Sequence, residues 1–558
     1  MSTASTKSRP AKNAKAGRGS ARASGRASET LAGPESGQEI PERVWLFGRI
    51  LVLNVAAFLR LYNLALVPLH HDEGVNGNFL MRLFREGYYH YDPANYHGPT
   101  LYYFALLTTY IFGPTTFAIR LLPALFGIAT VWLVLCLRWK LGTLAALAGA
   151  ALLAVSPGAV YMSRYFIHES LFVFFTLAIV YAALKYWDEA NPYYLVLAAI
   201  FAALLFATKE TAIINAGVLV IALGLTVVYA WLRKQGVVKS SAEETVSSRS
   251  RAKAGVAESL ADEPRGALER LGGPTSVLLI SGIAVAVFIA VNVIFYSSFF
   301  SNAKGVNDAL ETFKFWTKTG KKEHVHEWYT YLNWLWQEEA PLLLLGAAGI
   351  ILAAWRGSNR LAIFIALWAF GILSAYSLVP YKTPWLVLNF IVPLAITGGY
   401  AIEVIYKTGE ERQLFGRVLA LSLLVTSLSV CVYQTVSLNF FNYDDDHYPY
   451  VYAHTRRETL ALVDEIERLA KRAGTGDQTG ITIVSPDYWP LPWYLRDYKR
   501  VGYFGQMTMA SEPLIISRED QSAQLQASLG DGYRKVGSYA LRPGVTLVLY
   551  ARRDIESK

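Results

Sequence analysis

Two adjacent carboxylates, Asp72 and Glu73, follow two histidines in the run His70-His71-Asp72-Glu73-Gly74. A carboxylate at a membrane surface can take a proton from an acceptor hydroxyl or help hold a metal ion. Adjacent residues point in different directions on a helix, so only one of the two need face a reaction. Asp72 is the candidate base and Glu73 its partner. The structural alternative is a solvated loop start in which both carboxylates cap a helix. The stretch continues through Tyr91-Asp92-Pro93 to His97-Gly98-Pro99. Asp92 and His97 either line a pocket or only shape the loop, while Gly98 and Pro99 suit a tight turn into a helix.

Three later breaks between apolar blocks carry further ionisable groups. Arg164 and His168, with Glu169 following, are four apart and would share a helical face. Lys209-Glu210 has almost no loop around it, and Tyr381-Lys382 precedes Thr383-Pro384. A lone lysine beside a span is ordinarily a snorkelling interfacial charge. Four polar clusters converging on one side argue for a shared purpose, because ionisable groups near membrane spans are costly. The chemistry they suit is transfer from a lipid-linked phosphate. Arg164, Lys209 and Lys382 are candidates to stabilise the phosphate leaving group. His71, Asp92, His97, His168, Glu169, Glu210 and Tyr381 are candidate pocket residues. The sequence has no Walker-type loop and no dinucleotide-binding glycine fingerprint, so neither ATP nor a nucleotide sugar is expected.

The elements that must position these residues follow from composition. Of 558 residues, 53% are hydrophobic and only 17% charged, against about 25% charged in soluble domains. The apolar residues fall in blocks of roughly 20, the length that crosses a hydrocarbon core. Spans are predicted at 44–66, 117–138, 141–160, 168–187, 191–208, 211–232, 276–297, 340–355, 361–379, 385–406 and 415–437. The tyrosine-rich stretch from Pro99 to Gly113 reads as an interfacial helix. With eleven spans and a cytoplasmic N-terminus, the cytoplasmic breaks hold Arg138, Lys140, Lys185, the 233–270 run, Arg356, Arg360, Lys407, Arg412 and Arg417. That pattern obeys the positive-inside rule. One basic loop, 298–338 with Lys304, Lys314, Lys318, Lys321 and Lys322, is left outside.

The expected organisation is an all-α polytopic membrane protein with a small C-terminal α/β domain outside the cell. Residues 1–43 read as a disordered basic cytoplasmic segment without a signal peptide. Residues 44–438 form the membrane domain, with 67–116 as its first outside loop and 233–275 as a cytoplasmic loop, and 439–558 form the outer domain. Thr455 and Glu458 have capping-box spacing ahead of an amphipathic helix ending at Gly474. Strands are expected at Ile481–Ser485, Val545–Ala551 and near Tyr533–Leu541. The formal charge of +9 gathers in the basic segments without interleaved aromatics, which argues against a nucleic-acid partner. Cys136 and Cys431 sit in apolar blocks and offer neither a disulfide framework nor a cysteine metal cluster.

At these residues the chain resembles membrane glycosyltransferases of the C-type fold, in the protein O-mannosyltransferase and aminoarabinose-transferase-like superfamily. The resemblance rests on Asp72-Glu73, His97-Gly98-Pro99 with Leu101-Tyr102-Tyr103, Phe112-Gly113, Arg120-Leu121-Leu122, Ser163-Arg164-Tyr165 with His168-Glu169, and Lys209-Glu210-Thr211. The strings His70–Gly77, Tyr91–Tyr103 and Asp487–Tyr498 are similar to a bacterial and archaeal subgroup associated with lipid-linked sugar flipping. The resemblance implies inverting transfer from a polyprenyl-phosphate sugar, with Asp72 as base and Glu73 as partner. The sequence departs from the family at Gly98-Pro99 in the loop-one proline motif and at His168-Glu169 in place of a plain aspartate. No cofactor is required by this reading. Some relatives use a divalent metal, for which Glu73, His97 and His168 are the candidate ligands, with His70 and His71 beside them. The acceptor, whether glycan, lipid or protein, stays open. The rival reading is a non-catalytic accessory that helps move lipid-linked sugars.

Overall fold

The computed structural model describes residues 40–95, 97–235, 264–316, 324–408, 413–508 and 511–555. Most of the basic N-terminal segment, the middle of the 233–275 loop, and Arg412, Lys318, Lys321 and Lys322 lie outside the described residues. Among the described residues, nine helices are long and apolar enough to cross a membrane, and a bent pair makes a tenth. Lipid offers the backbone no hydrogen-bond partners, so the apolar blocks fold as helices that satisfy themselves. Their outward faces remain greasy: Phe47, Val220, Leu278 and Leu414 are all strongly exposed. The helix Leu388–Lys407 lies at the centre, buried continuously from Leu388 to Val404. This is a multi-pass membrane protein.

Two spans differ from the sequence expectation, each for a local reason. The block at 141–160 is a broken span, Thr143–Val155 and Pro157–Ser163, bent by 61°. Pro157 has no N–H to continue the helix and drives Ser156 to an extended backbone, ψ 127°. The Ser156 hydroxyl then caps the second half by accepting from the Ala159 N–H at 3.2 Å. The block at 340–355 begins earlier, in a helix Thr330–Arg356 interrupted at Glu339, where φ is −133°, two residues ahead of Pro341.

The helix Pro192–Phe206, at 15 residues, falls short of the usual spanning length. Its neighbours show that it nevertheless carries the chain back along the bundle to the level at which the preceding helix began. Two residues separate it from the end of the helix Glu169–Glu189, and Lys209 just beyond it meets Glu169 at 2.5 Å. Added to the nine long helices and the bent pair, it brings the candidate crossings to eleven among the described residues. Charged breaks meet at one end of the bundle: Glu42 with Arg138, Lys140 with Asp188, and Asn359 with the Lys140 carbonyl. The breaks holding Asp72, Arg164, Lys209 and Lys382 all fall at the other end.

Beyond the last membrane helix, Gln413–Val436 with a wider turn over Ser437–Phe441, the chain forms a sheet domain at that second end. Its strands are β1 (Gly480–Ile483), β2 (Arg500–Tyr503), β3 (Leu514–Arg518), β4 (Tyr533–Arg542) and β5 (Val545–Arg552), in the order β2-β1-β3-β5-β4. β1 pairs in parallel with β2 and β3, and β5 runs antiparallel to β3 and β4. The amphipathic helix Glu458–Ala473 packs Leu462, Ile466 and Leu469 onto the sheet and ends at Gly474. The Thr455–Glu458 capping box does not form. The helix is capped at Arg457, whose backbone N–H and guanidinium are both held by Asp444.

Candidate functional site

The loop after the first span opens with a helix, His71–Glu86, whose N-cap is His70. The His70 ring accepts from the Asp72 N–H, and Glu73 accepts from the His70 N–H at 3.0 Å. This reciprocal cap fixes the first turn. Glu73 is fully buried and turned inward. Its two oxygens receive Arg120 Nε at 2.7 Å and Nη2 at 2.6 Å, and one also takes the Phe166 N–H at 2.7 Å. Arg120 in turn donates to the carbonyls of Leu64, Val67 and Pro68. One ion pair thereby ties loop one, the helix Thr116–Cys136 and the break at 164–168 together. Asp72 faces the other way. Its side chain keeps 38% of its exposure, and the His70 Nδ1 lies 3.9 Å from it.

The other nominated residues divide between clusters. His97 Nδ1 and Glu210 Oε2 are 3.1 Å apart, the His97 and His168 rings sit 4.7 Å apart, and Lys209 is locked to Glu169. Gly98 is required here, because its N–H donates to the Thr208 carbonyl and a Cβ would lie 2.0 Å from the Ala207 oxygen. Tyr102 donates to Asn76 on the loop-one helix, and Asn76 donates to the Phe166 carbonyl, so this cluster joins the Glu73 pair through one helix face. His168 Nε2 is buried with no hydrogen-bond partner among the described residues. Asp92 is exposed and closes a turn by accepting the Ala94 N–H.

Lys382 and Tyr381 come from the break ahead of the central helix. Lys382 is 1% exposed and donates to the carbonyls of Ser377 and Val379. The Tyr381 ring lies 5.3 Å from that of His324, whose own ring bonds the Tyr452 hydroxyl at 2.8 Å. Tyr452 offers its carbonyl to His70 Nε2, and Trp385 lies 6.2 Å from the His70 ring. Asp72 and Lys382 therefore belong to one end of the bundle.

Arg164 is differently employed from the sequence expectation. Its guanidinium donates to the carbonyls of Leu59, Arg60, Tyr62 and Asn63, the orphaned C-terminal carbonyls of the first span. Lys209 likewise faces a carboxylate already in place. Neither is turned to a phosphate. The metal expectation does not fit the nominated residues either: both Glu73 oxygens are filled by Arg120 and backbone donors, and His97 Nδ1 is engaged with Glu210. Among the described residues, the acidic and histidine donors that do converge are Asp445, Asp446 and His447, on an exposed loop.

Three residues of this end were missed by the sequence reading. Arg60, fully buried, donates to the Ser163 hydroxyl and to the carbonyls of Leu153 and Ala154 where the broken span stops. Arg120 was quoted only within a motif. Glu339 sits at the interruption of its helix and accepts from the Ser156 hydroxyl and the Gly158 N–H, both at 2.7 Å, so the two broken helices meet at one carboxylate. Their shared signal was an ionisable side chain inside an apolar block.

With this geometry in view, known proteins place the fold. A family model described as dolichyl-phosphate-mannose-protein mannosyltransferase matches residues 96–240, which hold the His97, Arg120, Arg164, His168 and Lys209 breaks. ArnT from Cupriavidus metallidurans is similar in its apo state, with a TM-score of 0.57 at 14% identity over 91% of this chain and 97% of that one. The same protein bound to undecaprenyl phosphate gives 0.56 at 14% identity over 90% of this chain and 97% of that one. The archaeal oligosaccharyltransferase AglB from Archaeoglobus fulgidus, in complex with an inhibitory peptide and a dolichol-phosphate, gives 0.53 at 12% identity over 87% of this chain and 71% of that one. No curated protein matches the chain. The fold is that of C-type membrane glycosyltransferases, shared along nearly the whole chain.

Proposed function

We propose that this chain transfers a sugar from a polyprenyl-phosphate donor to an acceptor outside the cytoplasm, with inversion at the sugar carbon. The observation that carries the reading is the division of labour between neighbours. Glu73, Glu169 and Glu210 each face a buried cation or histidine, while Asp72 on the same polar end stays half-open and, among the described residues, forms no ion pair with Lys or Arg. In the proposed step Asp72 takes the proton of the acceptor hydroxyl. The acceptor oxygen forms a bond to the sugar carbon as the bond to the phosphate oxygen breaks, and that electron pair leaves with the lipid phosphate. Lys382 donates two of its three N–H groups to carbonyls and offers the third to the phosphate. The lipid tail lies against the exposed apolar helices. The lipid phosphates held by the ArnT and AglB structures, and the family description, support this donor class. The positive-inside pattern of the opposite end supports an extracytoplasmic site.

The test is turnover by the purified protein with polyprenyl-phosphate mannose as the probe donor. Asp72→Ala is expected to lose at least about 100-fold in sugar transfer, the scale of a positioned general base. Equal turnover in wild type and variant would remove Asp72 from the chemistry, and no turnover in either would favour the accessory reading.

A further inference from the structure

The sheet domain grips the loop-one helix that carries Asp72. Tyr494 accepts the Leu69 N–H at 2.8 Å, just ahead of the helix. On the helix itself, a Cβ at Gly74 would lie 2.7 Å from Pro490 Cβ, and one at Gly77 would lie 2.7 Å from the Trp493 ring. The two glycines admit the sheet domain to a distance no larger residue allows. At the first turn, Arg542 from the end of β4 places Nη1 3.3 Å from His71 Nδ1. The other arm of Arg542 is held tightly by Asp487, which also receives Arg518 at 3.0 Å. Trp489 lies 6.1 Å from the His71 ring on the same side.

An arginine guanidinium can only donate, so His71 Nδ1 must be the acceptor. His71 is then a neutral imidazole whose proton sits on Nε2, a tautomer selected by a residue more than four hundred positions away. We propose that Arg542 and Asp487 are positioning residues of the site: they hold His71 in its Nε2–H form and so fix the turn that presents Asp72. The sheet domain is by this account a wall of the site, and the membrane helices are incomplete without it. The inference rests on the transferase reading only where turnover is the measurement.

The experiment uses the full-length protein in lipid nanodiscs, as Arg542→Gln, Asp487→Asn and Arg542→Lys, with histidine-labelled nitrogen NMR at neutral pH and His71→Gln to assign the signal. Arg542→Gln and Asp487→Asn are expected to convert a single Nε2–H signature into a tautomer mixture. With polyprenyl-phosphate mannose, kcat is expected to fall by about 10-fold or more while KM holds, as for a displaced reacting group. Arg542→Lys keeps a donor at Nδ1 and should restore both readouts. An unchanged His71 signature in Arg542→Gln and Asp487→Asn would overturn the proposal, as would unchanged kcat beside an altered signature. If wild type turns over nothing, the transferase reading falls, and the nitrogen spectra still decide the fate of this one. Should Arg542→Gln not fold, Asp487→Asn carries the same two readouts.

Discussion

The two ends of the membrane bundle are both rich in charge and use it in opposite ways. At one end Glu42 meets Arg138, Lys140 meets Asp188 and Lys185 meets Glu189, all with substantial exposure to solvent. At the other, Glu73 and Arg120 are at most 1% exposed, and Glu169 with Lys209 is nearly as enclosed. Exposed pairs gain little because water competes for each partner. Enclosed pairs cost several kcal/mol per ion in desolvation before their attraction returns anything. A protein that needed only to sit in a membrane would have no reason to build the second arrangement. The contrast supports the proposal that the Glu73 end carries the site.

The comparison breaks most readily at its strongest member. Glu73→Ala leaves Arg120 buried and unpaired and frees the Phe166 N–H, so the folded state should lose about 3–5 kcal/mol. A thermal melt of the purified protein checks this. A melt unchanged from wild type would mean that the enclosed pair is no costlier to break than the exposed ones. Next in size is Gly77→Ala, whose methyl group would press on the Trp493 ring. A loss of about 1–3 kcal/mol is expected as the sheet domain shifts off the loop-one helix. Limited proteolysis between residues 441 and 458 should quicken in step with it.

A third effect depends on pH. His454, 2% exposed and close to Tyr161, His70 and Arg120, is driven well below its ordinary value of 6.5, first by burial and then by its neighbours His70 and Arg120. In the fold it is neutral, whereas the unfolded chain binds a proton below 6.5. The stability linked to His454 is therefore whole above that value and drains away as the pH falls beneath it. Melting temperatures measured from about pH 8 down to pH 5 should decline on the acid side, and His454→Asn should flatten that decline. A parallel slope in both proteins would assign the acid sensitivity elsewhere.

Much of the bundle was legible in sequence because span length, charge bias and proline chemistry are local properties. The helix Gly273–Tyr296 could be read from its apolar run alone, whereas the break at Ser156-Pro157, with its 61° bend, was missed inside the span expected at 141–160. The sheet was half legible. β5 was found, while β2 and β3 were missed; β3 runs Leu514-Ile515-Ile516, a short unbroken apolar stretch buried on both faces, which periodicity cannot separate from helix. At the site, the residue types were legible and their employments often were not. Arg164 reads as a phosphate ligand until the first span's C-terminal carbonyls arrive beside it. Glu73 and Asp72 are indistinguishable as letters, and only the approach of Arg120, forty-seven residues on, separates a strut from a candidate base. Pairings across such distances are set by the packing of whole helices, which no window of sequence contains.

The smallest effect is the sharpest control. Lys140 and Asp188 approach to 2.6 Å, as closely as Arg120 and Glu73 do, and Trp139 donates to the same carboxylate at 2.8 Å. Distance alone would therefore rank the two pairs as equals. Their side chains keep 32% and 25% of their exposure, and water stands ready to replace either partner. Asp188→Ala should accordingly cost less than about 1 kcal/mol in the same thermal melt that reports Glu73→Ala. Turnover with polyprenyl-phosphate mannose should be untouched, since the pair lies at the end of the bundle remote from Asp72. A cost near that of Glu73→Ala would show that enclosure is not what separates the two ends, and the argument for a functional end would have to rest on Asp72 by itself.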